Sequence, residues 1–225
     1  MSELRAVLWD LDGTILDTEK LWHDAVDEFV TERGGVMTAA DRRKLVGATV
    51  SRVLHTMLEL AGIEPSAAAL READAWLGSR LPSRYVSPVP WRPGAEAALR
   101  AVRAADMRSA LVTNTSRALA DVAMGAIGRE YFDASVTGDE VAHGKPAPDP
   151  YVRGAELLGV APDACVAIED SLTGAAAAVA AGCGVLLVPC DVPATAVTHG
   201  RVRRSLDHLS ISDLQEVLRS LASGG

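Results

Sequence analysis

Two aspartates, Asp10 and Asp12, close a short apolar run and precede Gly13-Thr14 in the stretch LWDLDGTILDTEKLW, residues 8–22. Carboxylates at this spacing can divide labour, one as a nucleophile and one as a general acid/base. A plainer reading also exists, since Asp-Gly suits the positive-φ positions of a tight hairpin turn. Three further polar clusters weigh against the hairpin. Thr113-Asn114 follows the run SALV, Lys145 sits in HGKPAP ahead of a helical pattern, and Glu169-Asp170 ends CVAIE. Each has an ordinary alternative: an N-cap stretch, a solvated lysine, acidic residues favouring a helix start. Together, Asp10-Asp12, Thr113-Asn114 and Glu169-Asp170 end strand candidates and Lys145 lies in a loop before a helix. In an open parallel α/β sheet ligands bind outside the carboxyl ends of the strands, so the four converge on one edge.

Such a site suits a phosphate monoester. Its dianion about 4 Å from one carboxylate is opposed by roughly 8 kcal/mol at an effective dielectric of ~20, so several carboxylates would exclude it without a cation. Oxygen ligands with few positive neighbours suit Mg2+, with Asp10 and Asp170 giving carboxylates and Asp12 a main-chain carbonyl. Lys145 adds a fixed positive charge, and the Thr113 hydroxyl with neighbouring N–H groups can bind phosphoryl oxygens. Asp10 then attacks phosphorus, while Asp12 protonates the leaving alkoxide and later takes a proton from water. This division asks for one ionised and one neutral acid.

The elements that must hold these groups are legible as periodicity. Residues 6–9, 109–113, 165–169 and 185–188 are apolar runs without polar alternation, with a shorter run at 134–136; strands buried on both faces of a parallel sheet read this way. Helical patterns at 94–105, 116–128, 148–159 and 172–182 separate them, which predicts a doubly wound α/β sheet. The alanine-rich GAAAAVAAG at 174–182 reads as a helix packing closely on that sheet. Residues 17–87 are helical throughout, at 19–33, 39–46, 50–61 and 66–81, and exceed a simple crossover. The organisation expected is therefore an α/β core from 1–16 and 88–225 with an inserted all-helical domain at 17–87. The proline-rich SPVPWRPG at 87–94 serves as the return linker.

The chain has 225 residues, 48% of them apolar, which suits one large domain or a core with an insertion. A net charge of −8, with 22 basic against 30 acidic residues, argues against nucleic-acid partners. No run reaches the ~18 apolar residues of a membrane span, and the start MSELRAVLWDLDG has no leader-like apolar region. The three cysteines, Cys165, Cys183 and Cys190, lack metal-ligand spacing and suit a reduced, cytoplasmic protein.

DLDGT (10–14), LVTN (111–114), GKPAPDPY (144–151) and IEDSLTG (168–174) resemble, in order and spacing, the four motifs of the haloacid dehalogenase superfamily. The insertion resembles the helical cap of the subfamily containing β-phosphoglucomutase and sugar-phosphate phosphatases. The resemblance implies a Rossmann-like core and a mobile cap. It implies Asp10 as nucleophile, Asp12 as acid/base, Thr113 and Asn114 at the phosphate, Lys145 neutralising the phosphoryl group, and Mg2+ held at Asp10, Asp12 and Asp170. Glu169 matches a position that touches the metal or orients its waters. The implied partner is a small phosphate ester.

Asp12 argues against dehalogenation. DTEKLW at 17–22 is closer to sugar-phosphate phosphatases than to the mutases, which carry a histidine where this chain has Trp22. His23 is displaced by one position, about 100° around a helix, and reads as incidental. A phosphatase is favoured over a phosphomutase. On residue types alone a receiver domain uses similar groups, but it would be about half this length without an insertion; a non-catalytic relative would show a degenerate motif. Trp22, Gly47, Thr49, Arg52 and Lys44 lie where related caps meet substrate, although Arg52 and Lys44 read equally well as a solvated face. Arg117 could reach a phosphate or be an exposed first-turn residue.

Overall fold

Six strands form, five of them on the expected runs: β1 (Ala6–Trp9), β2 (Arg108–Val112), β3 (Ala134–Val136), β4 (Cys165–Glu169), β5 (Gly184–Leu187) and β6 (Gly200–Val202). In the computed structural model, which describes residues 3–45, 48–86, 89–190 and 200–221, they make one sheet in the order β3-β2-β1-β4-β5-β6. Every pairing is parallel. Along β1, Val7 and Trp9 join one buried cluster and Ala6 and Leu8 the other, so the strand is covered on both faces.

Nine helices are seen among the described residues: α1 (Glu19–Glu32), α2 (Ala39–Leu45), α3 (Val50–Leu60), α4 (Ala67–Val86), α5 (Ala95–Ala104), α6 (Arg117–Ile127), α7 (Asp149–Leu157), α8 (Leu172–Ala181) and α9 (Ile211–Leu221). α5, α6 and α9 bury Leu99, Leu119 and Leu214 in the cluster of Val7 and Trp9. α7 and α8 bury Tyr151, Ala155, Ala177 and Ala178 in the cluster of Ala6 and Leu8. The fold is therefore α/β and doubly wound, as expected.

Register sets the site. Trp9 pairs with Leu111 on β2 and with Ile168 on β4, so the residues following each strand, Asp10, Thr113 and Asp170, emerge at one edge. β1 lies where the strand order reverses, between β2 and β4; crevices at such switch points hold ligands in open α/β sheets.

Helices α1–α4 all fall between β1 and α5. Phe29, Met57, Leu58, Leu77 and Leu81 make their shared core, continuous with one face of the sheet. Phe29 meets Trp76 edge-on with ring centroids 5.3 Å apart. The far boundary expected for this insertion, at residues 87 and 88, and Gly47 lie outside the described residues.

Three differences from the sequence reading have physical causes. α4 does not stop before Pro82 but runs on to Val86. A proline inside a helix costs about 3 kcal/mol. Leu77, Leu81 and Tyr85, spaced four apart, are all buried, and each contributes about 1.5–3 kcal/mol, enough to carry the helix through. β6 was not anticipated because three residues, two of them exposed, give no periodicity to read. α9 was also not placed; Ser210 and Asp213 cap its start by mutual hydrogen bonds.

Candidate active site

Asp10 is the first residue beyond β1, fixed by its N–H donating to the Ile168 carbonyl at 3.0 Å. Its Oδ1 accepts from Lys145 Nζ at 2.6 Å, whereas its buried Oδ2 has no hydrogen-bond partner among the described residues. Lys145 Nζ also donates to the Val112 carbonyl at 2.9 Å and to Glu169 Oε1 at 2.6 Å. Tyr151 of α7 donates to the same Glu169 oxygen, and Ser171 Oγ to the other at 3.3 Å. All three charged residues are buried: Asp10 7%, Lys145 4% and Glu169 0% exposed.

The Asn114 side chain holds the main chain of Lys145 from both sides. Its Oδ1 accepts from Lys145 N at 2.8 Å and its Nδ2 donates to the Lys145 carbonyl at 3.2 Å. Asn114 thus sets where the ammonium stands. Thr113 is buried, and its hydroxyl accepts from the Thr115 N–H at 3.1 Å.

One ammonium faces an excess of carboxylate. Burial raises the Asp10 carboxyl to about 7, against the opposing pull of Lys145. Burial, then the charges of Asp10 and Glu169, push Asp170 well above the usual range. At Lys145 burial works against the charged form, but Asp10 and Glu169 outweigh it and the ammonium is held more firmly than usual.

Asp12 is gripped separately, by hydroxyls. Thr18 Oγ1 donates to Oδ1 at 2.7 Å and Thr115 Oγ1 to Oδ2 at 2.6 Å; Tyr85 Oη, from the last turn of α4, donates to Oδ1 as well. Trp22 Nε1 in turn donates to Tyr85 Oη at 3.0 Å. Burial and the Asp12 charge raise the Tyr85 hydroxyl well above its usual value, so it stays a donor. The turn after Asp12 is closed by Gly13 N–H donating to the Leu16 carbonyl at 2.8 Å. The Asp-Gly turn therefore exists, but among the described residues β1 pairs with β2 and β4, both parallel, so the turn joins no hairpin there.

Carboxylate oxygens of Asp10, Glu169 and Asp170 lie within 4.8 Å of one another. The unpartnered Asp10 Oδ2 is among the carboxylate oxygens there. A hard-oxygen donor set with an excess of negative charge fits a divalent cation such as Mg2+. Glu169 is already engaged by Lys145, Tyr151 and Ser171, which suits it to orienting the others.

A cavity of about 130 Å³ opens here, lined by Asp10, Asp12, Thr113, Asn114, Lys145 and Asp170 from the core. From the helical insertion come Thr18, Trp22, His23, Leu45, Ala48, Val50 and Val53. Of the insertion residues expected at substrate, Trp22 lines the cavity. Thr49 does not; its hydroxyl accepts from the Arg52 N–H and caps α3. Arg52 is exposed and off the wall, Lys44 pairs with Asp41 at 2.9 Å, and Arg117 binds Glu140 and Ser135. His23, read as incidental, shares the wall with Trp22. Neighbours 100° apart can both line a cavity at the start of a helix, and Thr18, Trp22 and His23, around the first turn of α1, all do. Tyr85 and Thr115 were not anticipated at all.

A family model described as haloacid dehalogenase-like hydrolase matches residues 4–182. Protein CbbY of Rhodobacter capsulatus is 34% identical over 201 residues, covering 84% of this chain and 87% of that protein. Fructose-1-phosphate phosphatase YqaB of Escherichia coli is 34% identical over 181 residues, covering 78% and 92%. Among solved structures, CbbY from Rhodobacter sphaeroides in complex with xylulose-(1,5)bisphosphate superposes with a TM-score of 0.82. It is 26% identical, covering 94% of this chain and 99% of that one.

Proposed function

This chain belongs to the haloacid dehalogenase-like hydrolases and is a phosphatase, and we propose that it is an Mg2+-dependent enzyme releasing phosphate from small phosphorylated carbohydrates through an aspartyl phosphate on Asp10. The observation that carries this reading is the asymmetry of the two aspartates. Asp10 has one oxygen anchored by Lys145 and one without a partner, while Asp12 is held off by three hydroxyls. The substrate class follows from relatives that act on or hold phosphorylated sugars.

Asp10, Asp170 and the main-chain carbonyl of Asp12 would hold Mg2+, which when bound supplies the positive charge that admits a phosphate dianion beside these carboxylates. Lys145, fixed by Asn114, presents its ammonium to the phosphoryl oxygens, and Thr113 lies beside it on the wall. An Asp10 carboxylate oxygen forms the new bond to phosphorus as the bond to the ester oxygen breaks. Asp12 takes up a proton from solvent before the chemical step and gives it to the departing alkoxide. It then takes a proton from the water that cleaves the aspartyl phosphate, returning Asp10 and inorganic phosphate. The three hydroxyls keep Asp12 aimed at that oxygen through both steps. Residues 17–87 act as a cap, closing Trp22, Val50 and Val53 over the leaving group to exclude water.

Phosphate release from a panel of hexose and pentose phosphates, with EDTA and with Mg2+ restored, tests the proposal. Turnover should vanish with EDTA and return with Mg2+. Undiminished turnover in EDTA would refute the metal, and conversion of β-glucose 1-phosphate to its 6-isomer with a bisphosphate activator would reassign the chain as a mutase.

A further inference from the structure

We infer that the leaving-group half of the cavity selects sugars carrying one phosphate and discriminates against bisphosphates, an inference that rests on the phosphatase reading above. Two features support it: a mostly apolar wall of Trp22, Leu45, Ala48, Val50 and Val53, which His23 interrupts with an imidazole, and the absence, among the described lining residues, of any ammonium or guanidinium besides Lys145.

Lys145 is held beside the reacting carboxylate by its bonds to Asp10 and Glu169. Of the insertion's basic residues nearest in sequence, Lys44 pairs with Asp41, and Arg52 is exposed and does not line the cavity. A second phosphate reaching the wall would lose hydration without gaining a counter-charge, which is costly, and would meet the field of the surplus carboxylates.

Apart from His23, the insertion side of the wall also offers few hydrogen bonds. The Trp22 indole N–H is spent on Tyr85, and the Thr18 and Thr115 hydroxyls are spent on Asp12. What the indole and the valines offer is carbon surface, suited to the C–H face of a sugar ring or a short polyol. The cavity, about 130 Å³, is below the roughly 300–1,000 Å³ common for ligand pockets, which favours a small leaving group.

The test is a matched pair, fructose 1-phosphate and fructose 1,6-bisphosphate. Their binding to the full-length Asp10→Asn protein is measured with Mg2+ by calorimetry, and phosphate release is measured with the wild type. The monophosphate should bind about tenfold tighter or more, and Val50→Arg, or Val50→Lys as a second variant, should shrink that ratio at least about fivefold by giving the second phosphate a partner. Equal or tighter bisphosphate binding in the parent protein overturns the inference, as does a ratio that neither cation alters. Release of phosphate from both esters at equal efficiency would sink the selectivity while leaving the phosphatase standing. A preserved binding ratio without any release would do the reverse.

Discussion

Tyr85 donates its hydroxyl to the same Asp12 oxygen that Thr18 holds, though 73 residues separate it from Asp12. The bond ties the last turn of α4 to the turn after β1, and through Trp22 to the start of α1. The two ends of the helical insertion thus converge on one carboxylate. Replacing Tyr85 by Phe removes one of three donors without removing the ring. A hydrogen bond to a charged group contributes about 1.5–3 kcal/mol, so kcat should fall about tenfold or more with KM little changed. A loss confined to KM would show that Tyr85 binds substrate and does not aim Asp12.

Asp10→Asn should abolish turnover, by about a thousandfold or more, without unfolding the protein. Lys145 keeps Glu169 as a partner, and one surplus buried carboxylate is gone. The expected melting temperature in EDTA is unchanged or higher. Full activity in this variant would remove the nucleophile assigned here.

Asn114→Ala should lower kcat/KM by about tenfold or more although no charge is removed. The side chain fixes Lys145 through two main-chain bonds, and a displaced ammonium loses the phosphoryl oxygens. Weaker inhibition by inorganic phosphate, measured in parallel, separates this effect from general destabilisation. Inhibition identical to wild type would contradict the positioning role.

The strands and the polar groups at their ends were legible because strands buried on both faces read as uninterrupted apolar runs, and Asp10, Thr113 and Asp170 come directly after three of them. What escaped was tertiary. Thr115 reaches Asp12 across 103 residues and Tyr85 across 73, distances that no periodicity encodes. Pro82 concealed Tyr85 further, since a helix read as ending there leaves Tyr85 outside any face. His23 was dismissed on helical angle, which ignores that neighbours at the start of a helix can both line a cavity. Asn114 read as a phosphate ligand because the motif LVTN sets it beside Thr113; that its amide is spent on Lys145 depends on the loop 143–148 folding back.

With Asp10 among the proposed Mg2+ ligands, protons and the metal should compete for the same oxygens. Asp10 titrates near 7 in the folded metal-free protein, well above its usual 3.8, because burial disfavours its charge. A raised folded value means its contribution to stability is complete below about pH 4 and is lost as pH rises through 7. The metal-free protein should therefore melt lower at pH 8 than at pH 5. Bound Mg2+ should stabilise more at pH 8, with apparent affinity weakening up to about tenfold per unit below pH 7. Thermal shifts with and without EDTA across pH 5–8 check both statements. An Mg2+ effect independent of pH would mean that Asp10 is not among its ligands.

Gly13 links the turn chemistry of the sequence to the acidic cluster. Its φ of +84° lies in the left-handed region, where a side chain costs about 1 kcal/mol. Space is the larger obstacle, because a Cβ built there would sit 2.2 Å from Asp170 Oδ2 and 2.9 Å from its carboxyl carbon. Something must move, and the carboxylate tip of Asp170 is the softest neighbour. Gly13→Ala should therefore displace Asp170 from Asp10 and weaken Mg2+ by about tenfold or more, at a stability cost of about 1–3 kcal/mol. Raising Mg2+ should recover part of the activity, which separates a displaced ligand from a misfolded turn. Unaltered Mg2+ affinity in a folded Gly13→Ala protein would place Asp170 outside the metal site.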